Sequence, residues 1–381
     1  MGLQLRWGVF ACLFSLPVFA TDFAVDTTQD AVDVTPGDGR CATQSGKCSL
    51  RAAVMEANAL AGADVINVPA GEYRLTLGNT DENAGEEGDL DIWTDITING
   101  VGGGETVING SANSFRLFHV FVPDTEVVPS VTLQRLSMTQ GLEEVRGAIV
   151  LSTGSNILLA NVDVYKAGLN SSAVYNDRGV LTVEASRFFE NARAIESYSG
   201  RMQVSDSVFE NNAMPARGGA AIQTLSNDIA VVKNSRFIGN TSDRGIGGAI
   251  QASGELLVEN SMFDGNTSGQ GGALYTRSNA YIENSTFINN RSVVGGAVLS
   301  GGPLLVITGS EFQQNSATES GGALYNYSSV VFLTDCQLLE NQAESYHGGA
   351  VMNYSSTMII DASTISGNTA VGSGGGVFAL S

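Results

Sequence analysis

One short phrase, Ser-x-Phe-x-x-Asn, recurs eight times in the C-terminal half of the chain, at intervals of 21 to 28 residues. Leu and Ile replace Phe in the last two copies, and Cys replaces Ser once. The copies are centred on Phe188, Phe209, Phe237, Phe263, Phe287, Phe312, Leu338 and Ile365. A second phrase, Gly-Gly-Ala followed by an aliphatic residue, lies between copies, with anchors at Ala221, Ala249, Ala273, Ala297, Ala323 and Ala350, and a looser copy at Val377. A repeat of this length predicts a solenoid, in which each repeat buries its core by stacking on its neighbours.

Apolar and polar residues alternate within each repeat, which is the pattern of a β-strand with one buried face. The residue four positions before each Phe is polar, whereas the residue five positions before it is aliphatic. These aliphatic positions are Val183, Val204, Val232, Val258, Ile282, Ile307, Leu333 and Ile360. About 25 residues per repeat leave no room for a crossover helix, so the sequence predicts an all-β parallel β-helix of about eleven or twelve coils. The recurring Asn is expected to form a hydrogen-bonded ladder along one turn.

Composition limits the partners of the chain. Its 381 residues carry a formal net charge of −20, and a strongly acidic protein repels nucleic acid and anionic membrane surfaces. Residues 1–20 combine one Arg with an apolar run and end in a small residue, which predicts a secretory signal peptide. No later segment has the ~18 consecutive apolar residues of a membrane-spanning helix. We therefore expect an exported protein with no nucleic-acid partner and no membrane-spanning segment.

The cysteines outside the predicted signal peptide form two groups. Cys41 and Cys48 lie close together in a polar loop, and an oxidising compartment would allow them to pair. The pattern favours a disulfide over free thiols, and it disfavours a two-ligand metal site because no His or further Cys lies nearby. Cys336 occupies the repeat position that Ser fills in the other copies, which indicates a structural replacement and not a nucleophile.

The N-terminal region has a different pattern. Residues 50–60 place apolar side chains at helical spacing after Ser49, a good N-cap, so a short helix is expected to cover the first coil. The segment Cys48-Ser49-Leu50-Arg51-Ala52-Ala53 resembles the CSLREA domain of secreted bacterial proteins, over about residues 22–110. That family has Glu where this chain has Ala52, so Ser49 is expected to cap the helix without the partner of a capping box.

The repeats also resemble a known group. The Gly-Gly-Ala and Phe-x-x-Asn phrases are similar to those of polymorphic outer-membrane proteins and other right-handed β-helix surface proteins. We therefore divide the chain into a signal peptide at residues 1–20, a cap with the first coils at 21–95, and a right-handed parallel β-helix at 96–381. The chain stops within a predicted strand, so we expect a truncated product or one that another chain completes.

Motifs for chemistry are sparse. Residues 79–81, Asn-Thr-Asp, resemble the first motif of polygalacturonases, but the paired Asp-Asp, Gly-His-Gly and Arg-Ile-Lys motifs of those enzymes are missing. The histidines are His119 and His347, and His347 is expected to be an exposed turn residue. We expect no cofactor, with Ca²⁺ as the alternative. A solvated acidic loop is favoured over a Ca²⁺ site for the oxygen ligands at Asp81, Glu82, Glu86, Glu87, Asp89 and Asp91.

Two columns of side chains are expected to point outward and to change from polar to apolar toward the C-terminus. One column follows the aliphatic residue of the second phrase, and the other lies six positions before each Phe. Apolar residues exposed on a rod often mark a contact surface, although β-propensity on half-buried faces explains the same residues. The contact interpretation predicts binding residues at Tyr275, Tyr281, Tyr325, Phe332, Met352 and Phe378.

These features lead us to expect a β-helix that acts by binding, as an adhesin-like or envelope-associated protein with no catalytic site. Its expected partner is a glycan or a protein at a cell surface, and its expected location is secreted, extracellular or associated with a bacterial outer membrane. The alternative is a polysaccharide lyase or a glycoside hydrolase with a non-standard site on the β-helix face. A third hypothesis is a purely structural rod or an inactive fragment.

Overall fold

The computed structural model describes residues 20–78, 82–111, 115–123, 127–142, 146–168, 171–215, 218–226 and 228–380. In these residues the chain winds into a parallel β-helix, as predicted. Each full coil contributes one strand to each of three long sheets, and the strands within a sheet run parallel. The predicted signal peptide lies outside the described residues, apart from Ala20.

Sheet A has 13 strands and contains the aliphatic columns of the repeat. In one coil Leu256 and Val258 are fully buried, while Leu257 between them is half-buried on the outer side, so the predicted alternation is confirmed. The strands of sheet A are Asp22–Ala24, Ala63–Asn67, Asp95–Asn99, Ser130–Gln134, Asn156–Ala160, Val180–Glu184, Arg201–Ser205, Ile229–Lys233, Glu255–Glu259, Ala280–Glu283, Leu304–Thr308, Val330–Thr334 and Thr357–Asp361.

Sheet B has 12 strands and contains the Phe positions. Its first strand begins at Gly71. The strands of sheet B are Gly71–Arg74, Thr106–Asn109, Ser137–Thr139, Asp163–Tyr165, Arg187–Phe189, Val208–Glu210, Arg236–Ile238, Met262–Asp264, Thr286–Ile288, Glu311–Gln313, Gln337–Leu339 and Thr364–Ser366.

Sheet C also has 12 strands and contains the aliphatic residues of the second phrase. Each of its strands returns the chain to sheet A of the next coil. The strands of sheet C are Leu90–Ile92, Phe118–Phe121, Val150–Thr153, Ser172–Asp177, Arg193–Tyr198, Ile222–Leu225, Ile250–Ala252, Leu274–Thr276, Val298–Ser300, Leu324–Tyr327, Val351–Tyr354 and Val377–Leu380.

A smaller sheet, sheet D, lies between sheets B and C in the later coils. It has six strands and lengthens each of these coils by a short segment. The strands of sheet D are Thr241–Ile246, Thr267–Gln270, Arg291–Val294, Ser316–Ser320, Gln342–Ala343 and Thr369–Ala370. Sheet D therefore widens the C-terminal half of the solenoid, whereas the outer face of sheet C in the N-terminal half has no neighbouring strand of this kind within the described residues.

Equivalent side chains stack from coil to coil inside the solenoid. Six Phe rings, from Phe188 to Phe312, lie nearly parallel with centroids 4.7–5.0 Å apart. The predicted Asn ladder is confirmed. Asn240 donates from its side chain to the Asn266 side chain at 3.0 Å, and Asn266 donates in the same way to Asn290. Cys336 is buried in the corresponding Ser column, where burial raises the pKa of its thiol, so the predicted structural role agrees with its position.

The Gly-Gly turns need glycine for two different reasons. The first glycine of the pair, such as Gly271 with φ of 61°, has a left-handed backbone conformation, which costs other residues free energy. At the second glycine, such as Gly296, a Cβ atom would lie 1.9 Å from the carbonyl oxygen of Gly322 in the next coil. The turns can therefore stack directly only because neither position carries a side chain.

The predicted capping helix is confirmed as Leu50–Ala59. The Ser49 hydroxyl accepts a hydrogen bond from the backbone N–H of Ala52 at 3.0 Å, so Ser49 is the N-cap. Cys41 and Cys48 form the predicted disulfide, which closes the loop before the helix. Among the helices of the described residues, none is long and apolar enough to cross a membrane.

Candidate functional site

The outer face of sheet C carries a continuous column of side chains, which we call column one. The strand register aligns one residue from each coil, in the order Asp91, His119, Leu151, Tyr175, Glu196, Gln223, Gln251, Tyr275, Leu299, Tyr325, Met352 and Phe378. The repeat pattern found the seven C-terminal members of this column. The charged and histidine members lie in the five N-terminal positions, which the sequence prediction missed.

The structure divides the six predicted binding residues between two sheets. Tyr281 and Phe332 lie half-buried on the outer side of sheet A, and the other four belong to column one. In column one, Tyr275 and Met352 are only 3% and 5% exposed, so the expectation that they face solvent was wrong. The six residues therefore do not form one surface.

The Arg277 side chain covers part of Tyr275. Its Nε donates to the Tyr275 hydroxyl at 2.8 Å, and its guanidinium lies 5.4 Å from the centre of the Tyr275 ring. Phe378, the last predicted binding residue, stacks on His347 with ring centroids 4.2 Å apart. His347 is half-buried, and its Nδ1 accepts a hydrogen bond from the Ser373 backbone N–H at 2.9 Å. His347 is therefore a structural residue and less exposed than predicted.

Asp89, Asp91 and His119 form a compact acid–base group at the N-terminal end of column one. The His119 Nδ1 lies 3.0 Å from an Asp91 carboxylate oxygen, and one ligand atom from each of the three residues lies within 4.8 Å of the others. Both carboxylates are buried, whereas the His119 side chain is 15% exposed. His119 is therefore the member of this group that can meet a ligand from solvent.

Burial and pairing set the charges in this group. Burial raises the pKa of the Asp91 carboxyl, and the hydrogen bond with His119 lowers it in part. The Arg116 guanidinium lies 3.5 Å from the Asp89 carboxylate and supplies a positive charge at the other side of the group. Acidic and basic groups whose environments shift their pKa values are frequent at sites of proton transfer.

An aromatic cleft adjoins the acid–base group. The His119 ring lies 4.8 Å from the Phe121 ring, and the Phe121 ring lies 5.9 Å from the Trp93 ring, measured between centroids. Trp93 and Phe121 line a cleft of about 450 Å³ together with Asn83, Val122 and Pro123. Trp93 also lines a second cleft of about 690 Å³ beside the end of the capping helix. Apolar clefts with a few polar groups are the usual form of small-molecule and sugar sites.

The capping helix holds the segment that carries Asp89 and Asp91. The buried Arg51 guanidinium donates to the carbonyl oxygens of Gly85, Gly88 and Asp89 at 2.8–3.1 Å. It also pairs with Asp30 at 2.7 Å. The resemblance to the CSLREA domain covers this part of the helix and implies no role for Arg51, whereas the structure shows that Arg51 holds the loop at residues 85–89.

The same contacts argue against the predicted Ca²⁺ alternative at the acidic segment. Glu86 and Glu87 are exposed, and the Glu82 carboxylate accepts hydrogen bonds from backbone N–H groups of its own loop. Within the described residues, none of these three side chains belongs to a group of converging metal-ligand atoms. The Arg51 guanidinium occupies the space between three carbonyl oxygens that a cation would use. Asp81 lies outside the described residues. A metal ion has a better set of ligand atoms at Asp89, Asp91 and His119, where an imidazole nitrogen favours a transition metal over Ca²⁺.

The chain belongs to the family described as the right handed beta helix region. This family matches residues 147–338 and, in an overlapping second match, residues 220–380, which together make up more than half of the chain. The fold is therefore a right-handed parallel β-helix, as the sequence predicted. No curated protein sequence matches the chain at a significant level.

Solved structures of carbohydrate-active enzymes share this fold. The catalytic unit of the GH87 α-1,3-glucanase from Streptomyces thermodiastaticus matches with a TM-score of 0.52 and 13% identity, over 96% of this chain and 70% of the glucanase chain. The catalytic domain of a GH87 α-1,3-glucanase in complex with nigerose gives a TM-score of 0.48 and 13% identity, over 93% and 70%. The A-module of a mannuronan C-5 epimerase from Azotobacter vinelandii gives 0.39 and 14%, over 84% and 91%. At these identities the likeness shows the fold.

This finding overturns the prediction of an adhesin-like or envelope-associated protein without a catalytic site. The glucanase that shares the fold over nearly the whole of this chain is a catalytic unit. This glucanase agrees better with the alternative prediction, a polysaccharide lyase or glycoside hydrolase. The absence of the polygalacturonase motifs led to the wrong prediction. That absence excludes one arrangement of catalytic residues and not the whole class of enzyme.

Proposed function

We propose that this chain is a carbohydrate-active enzyme that cleaves a polysaccharide, as a lyase or a glycoside hydrolase, with His119 as its proton-transferring residue. The observation that carries the proposal is the juxtaposition of the His119–Asp91 pair with the Trp93–Phe121 cleft on the outer face of a β-helix. A glycan is the partner that fits an aromatic cleft on an extended face, because a long polymer can lie across several coils.

In this proposal Asp91 orients the imidazole of His119. The hydrogen bond through Nδ1 leaves Nε2 as the ring nitrogen that exchanges a proton with the bound sugar, and a carboxylate partner also stabilises the imidazolium that forms. In a lyase, Nε2 removes the proton from the carbon beside the sugar carboxyl group, a C=C bond forms as the glycosidic C–O bond breaks, and the leaving oxygen takes a proton from solvent. In a hydrolase, Nε2 takes a proton from the water whose oxygen bonds to the anomeric carbon, the glycosidic C–O bond breaks, and the leaving oxygen takes a proton from solvent.

Trp93 and Phe121 have a separate role, which is to bind the sugar ring. Aromatic faces pack against the apolar C–H face of a sugar and leave its hydroxyl groups to polar partners. Because Trp93 lines both clefts, it marks the border between two positions along the bound polymer. Trp93→Ala should therefore raise KM more than it lowers kcat.

The proposal includes export from a bacterial cell. The signal-peptide pattern of residues 1–20 supports this location, as does the Cys41–Cys48 disulfide, because disulfides persist in oxidising compartments. The resemblance to CSLREA domains and to polymorphic outer-membrane protein repeats points in the same direction. A fusion of residues 1–20 to a reporter that is active only after export tests this part of the proposal.

The two histidines of the chain allow a matched test of the activity. The purified protein is incubated with a panel of neutral and acidic polysaccharides, and new reducing ends and unsaturated products are measured. His119→Gln should lower turnover by about 10²–10⁴-fold, the usual contribution of a general acid or base. His347→Gln should retain turnover, because His347 stacks on Phe378, at the opposite end of column one from His119.

The products distinguish the reaction classes within the proposal. Unsaturated sugar ends identify a lyase, whereas saturated reducing ends identify a hydrolase. The proposal fails if the unmodified protein produces neither over the panel, or if His119→Gln is as active as His347→Gln.

A further inference from the structure

A second cluster of charged side chains lies on the outer face of sheet C, two coils beyond His119. Arg146 donates from Nη1 to the Tyr175 hydroxyl at 2.6 Å, and its guanidinium lies 4.7 Å above the Tyr175 ring. Glu196, the next member of column one, pairs with the buried Arg193 and lies 3.9 Å from Arg146. These contacts hold all four side chains in fixed positions.

The cluster carries an excess positive charge. Arg193 is buried, and its guanidinium donates to the carbonyl oxygens of Gly218 and Gly219 as well as to Glu196. Arg146 and Arg193 share this one carboxylate, so the described side chains of the cluster carry one positive charge in excess. The Arg146 side chain is 50% exposed, and its shortest contact is with the neutral Tyr175 hydroxyl. An exposed guanidinium held in this way presents its remaining N–H groups to a ligand.

The position of the cluster relates it to the candidate active site. Tyr175 lies two coils from His119 in column one, with Leu151 between them. At about 4.8 Å per coil this separation is about 10 Å, which is about the length of two sugar units. The exposed ring of Tyr198 lies beside Glu196 in the same strand and offers a further surface for a sugar. A polymer that crosses the Trp93 cleft and follows column one therefore reaches Arg146.

We propose that the Arg146–Tyr175–Glu196 cluster is a subsite for the carboxylate of an acidic sugar, so that the substrate is a polysaccharide containing uronic acid. This inference rests on the proposed function for the direction of the polymer. Arg binds a carboxylate through two parallel charge-assisted hydrogen bonds. Because Arg146 and Arg193 share Glu196, an uncharged glycan would leave one positive charge of these side chains unbalanced. The net charge of −20 repels a polyanion at long range, so a local arginine is needed to bind one.

Binding can be measured without turnover by titration calorimetry on the His119→Gln variant. The probes are hexasaccharides of galacturonate, mannuronate and guluronate, and an uncharged glucan of the same length. At least one uronate hexasaccharide should bind more tightly than the glucan. Adding Arg146→Gln should raise the Kd of that uronate by about tenfold or more, the effect expected from a lost charge-assisted pair. Arg146→Lys should recover part of the affinity, because it keeps the charge without the planar fork.

Arg187 provides a matched control on another face. It is 48% exposed, pairs with Glu210, and stacks on Phe189 in sheet B. Arg187→Gln changes the net charge equally and should leave the Kd unchanged. The inference is overturned if the glucan binds as tightly as every uronate, or if both Arg→Gln variants weaken binding equally. A failure of the proposed function would differ, since uronate binding would persist while the unmodified protein showed no turnover.

Discussion

At the residue scale, one buried carboxylate lowers the stability of the fold at high pH. Asp228 is fully buried in the turn that leads into sheet A, and it accepts a hydrogen bond from the backbone N–H of Gly200 at 2.9 Å. Burial raises the pKa of Asp228 from 3.8 to about 6. Because the folded pKa is the higher one, the contribution of Asp228 to stability is complete below about pH 4 and is lost as the pH rises through 6.

Asp228→Asn should therefore stabilise the fold at high pH. The amide keeps an acceptor for Gly200 and removes the buried charge, so the free energy of unfolding at pH 8 should rise by about 1–3 kcal/mol. At pH 4 the variant and the unmodified protein should be equally stable. Urea unfolding at the two pH values measures both, and Asp206→Asn, at an exposed position, is the control. A gain of equal size at both pH values would contradict the assignment to this titration.

At the element scale, the capping helix stabilises the loop that borders the candidate active site. Arg51→Met removes one partner of a buried ion pair with Asp30 and leaves three loop carbonyls without their donor. Breaking such a pair costs about 3–5 kcal/mol. We expect a lower unfolding temperature and faster proteolysis in residues 82–89. Arg40→Met, at an exposed position in the same cap, should change neither quantity.

Elements with a repeated or periodic sequence pattern could be predicted, and those without one could not. The Phe and Asn columns were visible because eight copies supplied the same or a similar residue at the same position, and the helix was visible from its spacing after Ser49. Asp91 and His119 lie on coils without the repeated phrase, so no alignment connected them to Glu196 or Gln223. The signal that could have connected them is the buried apolar residue before each outward position, such as Leu90 or Phe118. The burial of Tyr275 depends on contacts with side chains outside its own strand, such as Arg277, which the alternation of residues does not encode.

At the scale of the whole molecule, the solenoid limits how far a local change can spread. Each coil contacts only its neighbours, so damage in one coil need not unfold distant ones. Gly296→Ala would place a Cβ atom 1.9 Å from the Gly322 carbonyl oxygen, in the C-terminal half of the rod. The candidate active site lies on coils before residue 200, and we expect it to remain folded in this variant.

Hydrogen–deuterium exchange, measured by mass spectrometry of peptides, tests whether distant coils stay folded when one coil is damaged. Gly296→Ala should lose protection in the neighbouring coils, residues 267–349, while residues 63–200 keep theirs and turnover on the polysaccharide is retained. Gly265 has a φ of 63° with open space around it, so Gly265→Ala should cost only about 1–2 kcal/mol of backbone strain. That control separates strain at one residue from a clash between coils. Loss of protection along the whole rod in Gly296→Ala would mean that the solenoid unfolds as one unit, and the site would then depend on every coil beyond it.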